Sequence, residues 1–437
     1  MVDGAAADGV ALTIADGRFA DVEVGVPAPA GATVLHGLTL PGFANAHSHA
    51  FHRALRSHTQ AGDGSFWTWR DVMYTVASRL EPDSYHRLAR AVFAEMAMAG
   101  ITCVGEFHYL HHRPDGRPYD DANEMGTAVI AAAADAGIRI TLLDTLYLHG
   151  GLSPDGYAMI DGAQRRFSDG SADTWAERVE QLRPEPHVRI GAAIHSIRAV
   201  DPVSMEAVRA WATAHDAPVH AHVSEQRVEN EQCIAHHGRT PTGLLAGAGV
   251  LDTRFSAVHG THLGSGDIAR LGDATAGVCF CPTTERDLGD GIGPSTELAA
   301  AGVALTLGTD SHAVIDMFEE ARGVELDDRL RSEHRGRHAT SALLAMMTTN
   351  GHASLGWDDA GTIAVGQRAD LVTVALDSVR TAGAAAGAEL PAAVFAATAA
   401  DVSHVVVDGM PVVVDGRHVR VDAADELGVT IAEIMER

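Results

Sequence analysis

The chain has 437 residues, with 32 basic against 58 acidic side chains for a formal net charge of −26, and 46% of it is hydrophobic. So acidic a balance disfavours nucleic acid or an anionic membrane as the main partner, since both reward basic patches. The length suits one barrel-sized domain with a smaller companion, because single cores stop growing at roughly 250 to 300 residues.

All 32 basic residues are arginines, so Schiff-base chemistry, a P-loop lysine and a carboxylated lysine bridging two metals are excluded. No apolar stretch approaches the ~20 residues of a membrane span. The N-terminal string MVDGAAADGVALT carries Asp3 and Asp8 and no basic stretch ahead of an apolar run, so a cytoplasmic protein is expected. Cys103, Cys233, Cys279 and Cys281 form no CxxC pair and suit reduced core thiols.

In chain order, an alternating N-terminal stretch (ALTIADGRFADVEVG) is followed by eight short apolar runs. They are LTLPGFANAH from Leu38, ITCVGEF from Ile101, IRITLLDTLYL from Ile138, VRIGAAIH from Val188, PVHAHV from Pro218, FSAVH from Phe255, AGVCFCP from Ala276 and VALTLGTD from Val303. Segments such as YHRLARAVFAEMAMAG and DPVSMEAVRAWATAHD lie between them, with apolar residues at helical spacing. Eight strands alternating with helices predict an α/β fold, a (β/α)8 TIM barrel. The alternative, an open doubly wound sheet, lacks a GxGxxG after an early strand. From about Gly366 the chain turns Val-rich, and Asp408 and Gly409 separate two strand-like runs, a hairpin signal. The expected organisation is 1–40 as the N-terminal part of a small β-sandwich subdomain, 41–365 as the barrel, and 366–437 as the C-terminal part of that subdomain with a terminal helix.

With 25 histidines a single His-x-His means little, but barrel sites assemble at C-terminal strand ends, and several histidines fall there. His47 and His49 close the first strand, and a spacing of two on extended backbone turns both imidazoles the same way. A polar loop pair is the bland alternative. His222 ends the fifth strand, His259 the sixth and Asp310 the eighth. That set matches a catalytic metal site with N and O ligands and an open water position. His220 shares the parity of His222 and is its geometric rival, although His222 lies nearer the strand end. Glu225, three residues beyond His222, is placed to shuttle a proton, or else is simply a solvated glutamate. His111, His112 and His262 read as loop histidines, and His108 is undecided.

These residues together resemble the amidohydrolase superfamily. Within it, HSHAFHRA, GSFWTWRDVMY, GEFHYLHH, HSIRAV, HAHVSEQ, VHGTH, LGDGIGP and GTDSH resemble the N-formimino-L-glutamate deiminases of histidine degradation. The resemblance implies that His47, His49, His222 and Asp310 bind one Zn²⁺, that Glu225, His259 and Asp310 do the proton work, and that Arg70, Tyr109, His195 and Arg198 hold the substrate. His52 is the further candidate contact, standing where family members often carry Gln. TERDLGDG, like the family's TEANLGDG, is assigned only a loop role. The implied reaction is hydrolytic deimination of N-formimino-L-glutamate to N-formyl-L-glutamate and ammonia, with the metal supplying hydroxide near neutral pH for attack on the formimino carbon. The implied partners are a small dicarboxylate substrate and a second copy of the chain as a homodimer. Iron and manganese suit the same donors as zinc. A deaminase of guanine, cytosine or an adenosine-like heterocycle is the rival enzyme. A metal-holding protein without catalysis is the rival outside enzymes, disfavoured because Glu225 and His259 are not needed merely to hold a metal.

Overall fold

The computed structural model describes residues 6–60 and 66–436, so Met1–Ala5 of the N-terminal string and Gly64 and Ser65 of GSFWTWRDVMY lie outside the described residues. Each of the eight apolar runs supplies one strand of an eight-stranded sheet, to within a residue at the ends of three of them. In chain order these strands are Phe43–Ser48, Ile101–His108, Arg139–Leu146, Val188–Ser196, Val219–Val223, Phe255–His259, Gly277–Phe280 and Ala304–Leu307. All neighbours pair in parallel. The last strand returns to the first, where Thr309 and Asp310 donate their N–H groups to the His47 carbonyl at 3.1 and 3.0 Å. That seam is tight. A Cβ on Gly308 would lie 2.7 Å from the His47 Cβ and 2.8 Å from its carbonyl oxygen, so only glycine lets the two strands approach.

Helices cover the barrel as their apolar spacing predicts. Pro82–Met98 begins with proline, whose missing N–H costs nothing at a helix start, and buries Leu88, Val92, Phe93 and Met96. Pro202–His215 is capped by Asp201, which accepts from the N–H groups of Val203 and Ser204.

The run from Leu38 is divided rather than continuous. Leu38–Pro41 belongs to a second sheet and Phe43–Ser48 to the barrel. Gly42 marks the division, since a Cβ there would meet the Thr102 side chain at 2.4 Å and Asp370 Cβ at 2.8 Å. The second sheet is antiparallel, in the order Arg417–His418, Met410–Val414, Val402–Val407, Leu371–Val374, Leu38–Pro41. Its hairpin turns at Asp408 and Gly409 as predicted, both with positive φ. The N-terminal strands Ala11–Ala15 and Arg18–Glu23 form their own two-stranded sheet. They reach the C-terminal segment through backbone bonds such as Phe19 N–H to Gln367 O at 3.0 Å, and through the apolar cluster of Phe19, Ile363, Ala369 and Leu371.

A buried charge pair joins this subdomain to the barrel. Arg139, on the third barrel strand, donates to both carboxylate oxygens of Asp370 and, at 3.2 Å, to Asp408. Burial alone would raise the Asp370 carboxyl, but the Arg139 charge outweighs it and holds it below the ordinary aspartate range.

Replacing Asp370 by Asn strands a buried guanidinium and is expected to cost about 3–5 kcal/mol in urea unfolding at pH 7. Because the native pKa of Asp370 is depressed, its contribution is present above the unfolded value near 3.9 and is lost as pH falls through the native one. The difference between wild type and variant should therefore narrow below about pH 4. Gly308→Ala is expected to destabilise by about 1–3 kcal/mol through overpacking at the seam, read as a lowered calorimetric Tm.

Candidate active site

The C-terminal ends of the barrel strands gather the predicted histidines into one buried cluster. One ligand atom each from His47, His49, His222 and Asp310 lie within 4.8 Å of one another. The Nε2 atoms of His49 and His222 are 3.4 Å apart, those of His222 and His47 3.2 Å, and Asp310 Oδ1 is 3.2 Å from His47 and 3.4 Å from His49. His49 donates its Nδ1–H to the Phe107 carbonyl at 2.9 Å, and His222 donates its own to the His195 carbonyl at 2.8 Å. Both rings therefore turn an unprotonated Nε2 inward, so two lone pairs face each other with no proton between them. A cation relieves that repulsion. Burial lowers the pKa of all three imidazoles, which keeps them neutral and ligand-ready. Three imidazole nitrogens and one carboxylate suit a divalent ion with N and O preference.

His220, the rival of His222, lies outside this cluster and hydrogen bonds the Ser354 carbonyl at 3.0 Å. Glu225 is buried beside Arg198, with Oε2 3.7 Å from the guanidinium, which removes the solvated alternative. His259 Nε2 stands 3.9 Å from Glu225 and 4.0 Å from Asp310 Oδ2, and its Nδ1 is 3.4 Å from Glu285 Oε1. Burial would lower the His259 pKa, but Glu225, Glu285 and Asp310 reverse the effect and hold it well above the usual histidine range. Burial would raise the Asp310 carboxyl, but the hydrogen bond from His47 and the imidazoles around it, His47, His259 and His49, hold it well below its own range. Ser224, His259, Asp310 and His312 all have positive φ, a strain of about 1–3 kcal/mol each that is commonly stored at functional sites.

A second layer supports the first. Glu106 accepts from Ser48 Oγ at 2.6 Å and from the Ala50 N–H at 2.7 Å, pinning the backbone on both sides of His49. Burial pushes its carboxyl up to about 8. Asn45 bonds both the N–H and the hydroxyl of Thr309, next to Asp310.

A cavity of about 230 Å³ opens beside the cluster, with His49, His222, Glu225, His259 and Asp310 in its wall. All five predicted substrate contacts also line it: Arg70, Tyr109, His195, Arg198 and His52. His52 Nε2 lies 2.8 Å from Tyr109 Oη.

Sequence reasoning missed several participants. TERDLGDG is not merely a loop: Pro282–Leu288 is helical, and Glu285 reaches His259 while accepting the Cys281 N–H at 2.9 Å. Asp290, whose carboxyl is pushed up to about 9 by burial and by Glu225, accepts from the Gln226 amide. The position of the string directly after the seventh strand was the available signal. Tyr74, the last residue of GSFWTWRDVMY, and Tyr147, in the third apolar run, also line the cavity, although neither is assigned a role from the sequence. His111 and His112 do lie in a loop, as read, but they are buried there and face the Thr145 carbonyl and the Asp169 carboxylate. Among the described residues, no helix is long and apolar enough to cross a membrane.

Comparison with known proteins agrees with this geometry. Residues 38–412 match the amidohydrolase family. The chain is 38% identical over 412 residues to formimidoylglutamate deiminase of Pseudomonas aeruginosa, covering 90% of this chain and 88% of that protein. It is 29% identical to 8-oxoguanine deaminase of the same organism, over 85% and 83% of the two chains. Among solved structures, an amidohydrolase from Brucella melitensis superposes with a TM-score of 0.91 at 33% identity, covering 98% and 96% of the chains. An adenosine deaminase from Xanthomonas campestris with bound zinc superposes with a TM-score of 0.82 at 26% identity, covering 98% and 93%. A family match across most of the sequence, on a barrel whose rim gathers histidines and an aspartate around one point, places this chain in the amidohydrolase family.

Proposed function

We propose that this chain is a metal-dependent formimidoylglutamate deiminase, hydrolysing N-formimino-L-glutamate to N-formyl-L-glutamate and ammonia. The observation that carries the reading is a cavity with candidate metal ligands at its base and Arg70 and Arg198 in its wall, in a chain 38% identical to a curated deiminase of that name. A small dianion brought to a protein of net charge −26 needs local cations, and planar guanidinium groups bind carboxylates bidentately.

His47, His49, His222 and Asp310 would hold the ion, for which we propose Zn²⁺, one per chain. Bound there, it would supply Lewis acidity that brings the pKa of water to about 7. The chain's own groups then divide the proton work. Asp310 keeps Oδ1 toward His47 and His49, and its Oδ2, 4.0 Å from His259, takes the proton of the attacking water. His259, held cationic by its carboxylate neighbours, donates a hydrogen bond to the oxygen on which charge develops. Glu225 carries the remaining proton of the added water from the adduct's hydroxyl to the departing nitrogen, and ammonia leaves as the carbonyl forms. Arg70 and Arg198 clamp the carboxylates, while Tyr109, His195 and His52 shape the wall between clamp and reacting carbon. A cytoplasmic setting is supported by four buried cysteines that are all free thiols. Assembly as a homodimer is supported by the family resemblance alone.

Zinc-loaded protein should release ammonia from N-formimino-L-glutamate and leave N-formyl-L-glutamate, identified by NMR. Turnover of guanine, cytosine or adenosine in its place would move the assignment to the heterocycle deaminases. Glu225→Gln should lower kcat about 10²–10⁴-fold with metal content unchanged by elemental analysis; surviving activity would remove the proton-shuttle role. Chelation should abolish turnover, and added Zn²⁺ should restore it.

A further inference from the structure

Gln164, in the short helical segment Gly162–Phe167, is buried behind the cavity, and its amide joins three parts of the wall. Nε2 lies 2.9 Å from Tyr147 Oη, 3.1 Å from Tyr74 Oη and 3.1 Å from the Gly150 carbonyl oxygen. Two backbone groups fix which way the amide points. The Gly150 carbonyl can only accept, so it must face the NH₂. The Asp161 N–H can only donate, and it meets Oε1 at 3.2 Å. The NH₂ carries two protons, so one serves the Gly150 carbonyl and the other is shared between the two phenol oxygens; an amide nitrogen accepts no hydrogen bond, so neither phenol spends its own O–H proton on Gln164. Among the described residues neither phenol oxygen has a further side-chain partner besides Gln164. Tyr74 and Tyr147 line the cavity together with Arg70 and Arg198. The Arg70 guanidinium lies 5.4 Å from the centre of the Tyr74 ring. Tyr147 also stands one ring beyond the candidate ligand His222: the His195 ring lies 5.2 Å from that of His222 and 4.6 Å from that of Tyr147.

We infer that Tyr147 and Tyr74 are carboxylate donors set by Gln164. In this role Gln164 is a positioning residue, and the two phenols read the far carboxylate of an acyclic dianion and distinguish it from an uncharged end. The physical reason is polarity. A free phenol can donate or accept, but one whose oxygen is occupied by an amide N–H presents only a proton, and a carboxylate is an acceptor only. Both guanidinium charges act on the Tyr147 hydroxyl and favour its ionised form, against the larger opposing effect of burial, which places them in the same neighbourhood. The inference rests on the deiminase reading for its choice of substrate, not for its geometry.

The test compares wild type with Tyr147→Phe and Tyr74→Phe, each of which deletes one oxygen, and with Gln164→Leu. Glutarate and butyrate binding to metal-loaded protein is measured by calorimetry, and kcat and KM are measured for N-formimino-L-glutamate and for its side-chain amide analogue. The expected result is glutarate binding weakened about tenfold in Tyr147→Phe with butyrate little affected, and KM for the dianion raised by a similar factor while kcat falls much less. Preference for the dianion over its amide should shrink in Tyr147→Phe and in Gln164→Leu. Unchanged glutarate affinity and unchanged preference in both phenylalanine variants would overturn the inference. If wild type fails to deiminate N-formimino-L-glutamate but binds glutarate in a Tyr147-dependent way, the substrate reading falls and the subsite stands. If it deiminates and the tyrosine variants match it in affinity and preference, the reading stands and the subsite falls.

Discussion

The closure of the barrel between its eighth and first strands is the constraint on which the rest depends. Three of the four candidate metal ligands sit on that seam, because the N–H groups of Thr309 and Asp310 both bond the His47 carbonyl, and the His49 N–H bonds the Asp310 carbonyl at 3.2 Å. The hydrogen bonds that close the sheet are the same ones that set the distance between aspartate and imidazoles. Gly308 permits the approach, Asn45 braces Thr309, and Glu106 braces the turn around His49. A site built on rigid strand ends is held more narrowly than one built on loops.

Burial then sorts the titratable groups into roles. At His47, His49 and His222 burial outweighs the neighbouring Asp310 carboxylate and lowers the pKa, and it drives Glu106 toward its protonated form. His259 is equally buried, yet three carboxylates hold it cationic. The same desolvation has opposite outcomes because the partners differ, which is how one small volume can contain both proton donors and metal ligands. On a chain of strongly negative charge, the cavity wall is where arginine side chains converge, with phenols beside them.

Different regions supply the two ends of the cavity. The base comes from strand ends. The upper wall comes from the helix Phe66–Arg79, which carries Arg70 and Tyr74, and from the segment after the third barrel strand that holds His149, Gly150, Leu152 and Gln164. Within one family, a conserved mechanism with varied substrates is the expected result of such a division, since loops and added helices change without disturbing the barrel.

Much of this was readable without coordinates. The eight apolar runs, the period-two spacing of His47 and His49, and the placement of His222, His259 and Asp310 at or close to the ends of the fifth, sixth and eighth strands are local patterns, and strand geometry converts them directly into position. The Asp408–Gly409 turn is likewise a property of two adjacent residues that tolerate positive φ. What the sequence could not determine was pairing between residues far apart in the chain. Position nearer the strand end favours His222 over its geometric rival His220; the structure separates them by partner, because one ring reaches the Ser354 carbonyl and the other His47. Glu285 and Asp290 gained their roles only when the seventh strand was laid beside the sixth. Gln164 meets Tyr74 across 90 positions of sequence. Periodicity reports which face a side chain occupies, whereas hydrogen-bond partners, desolvation and pKa depend on what the rest of the chain brings against that face, and only the tertiary structure decides that.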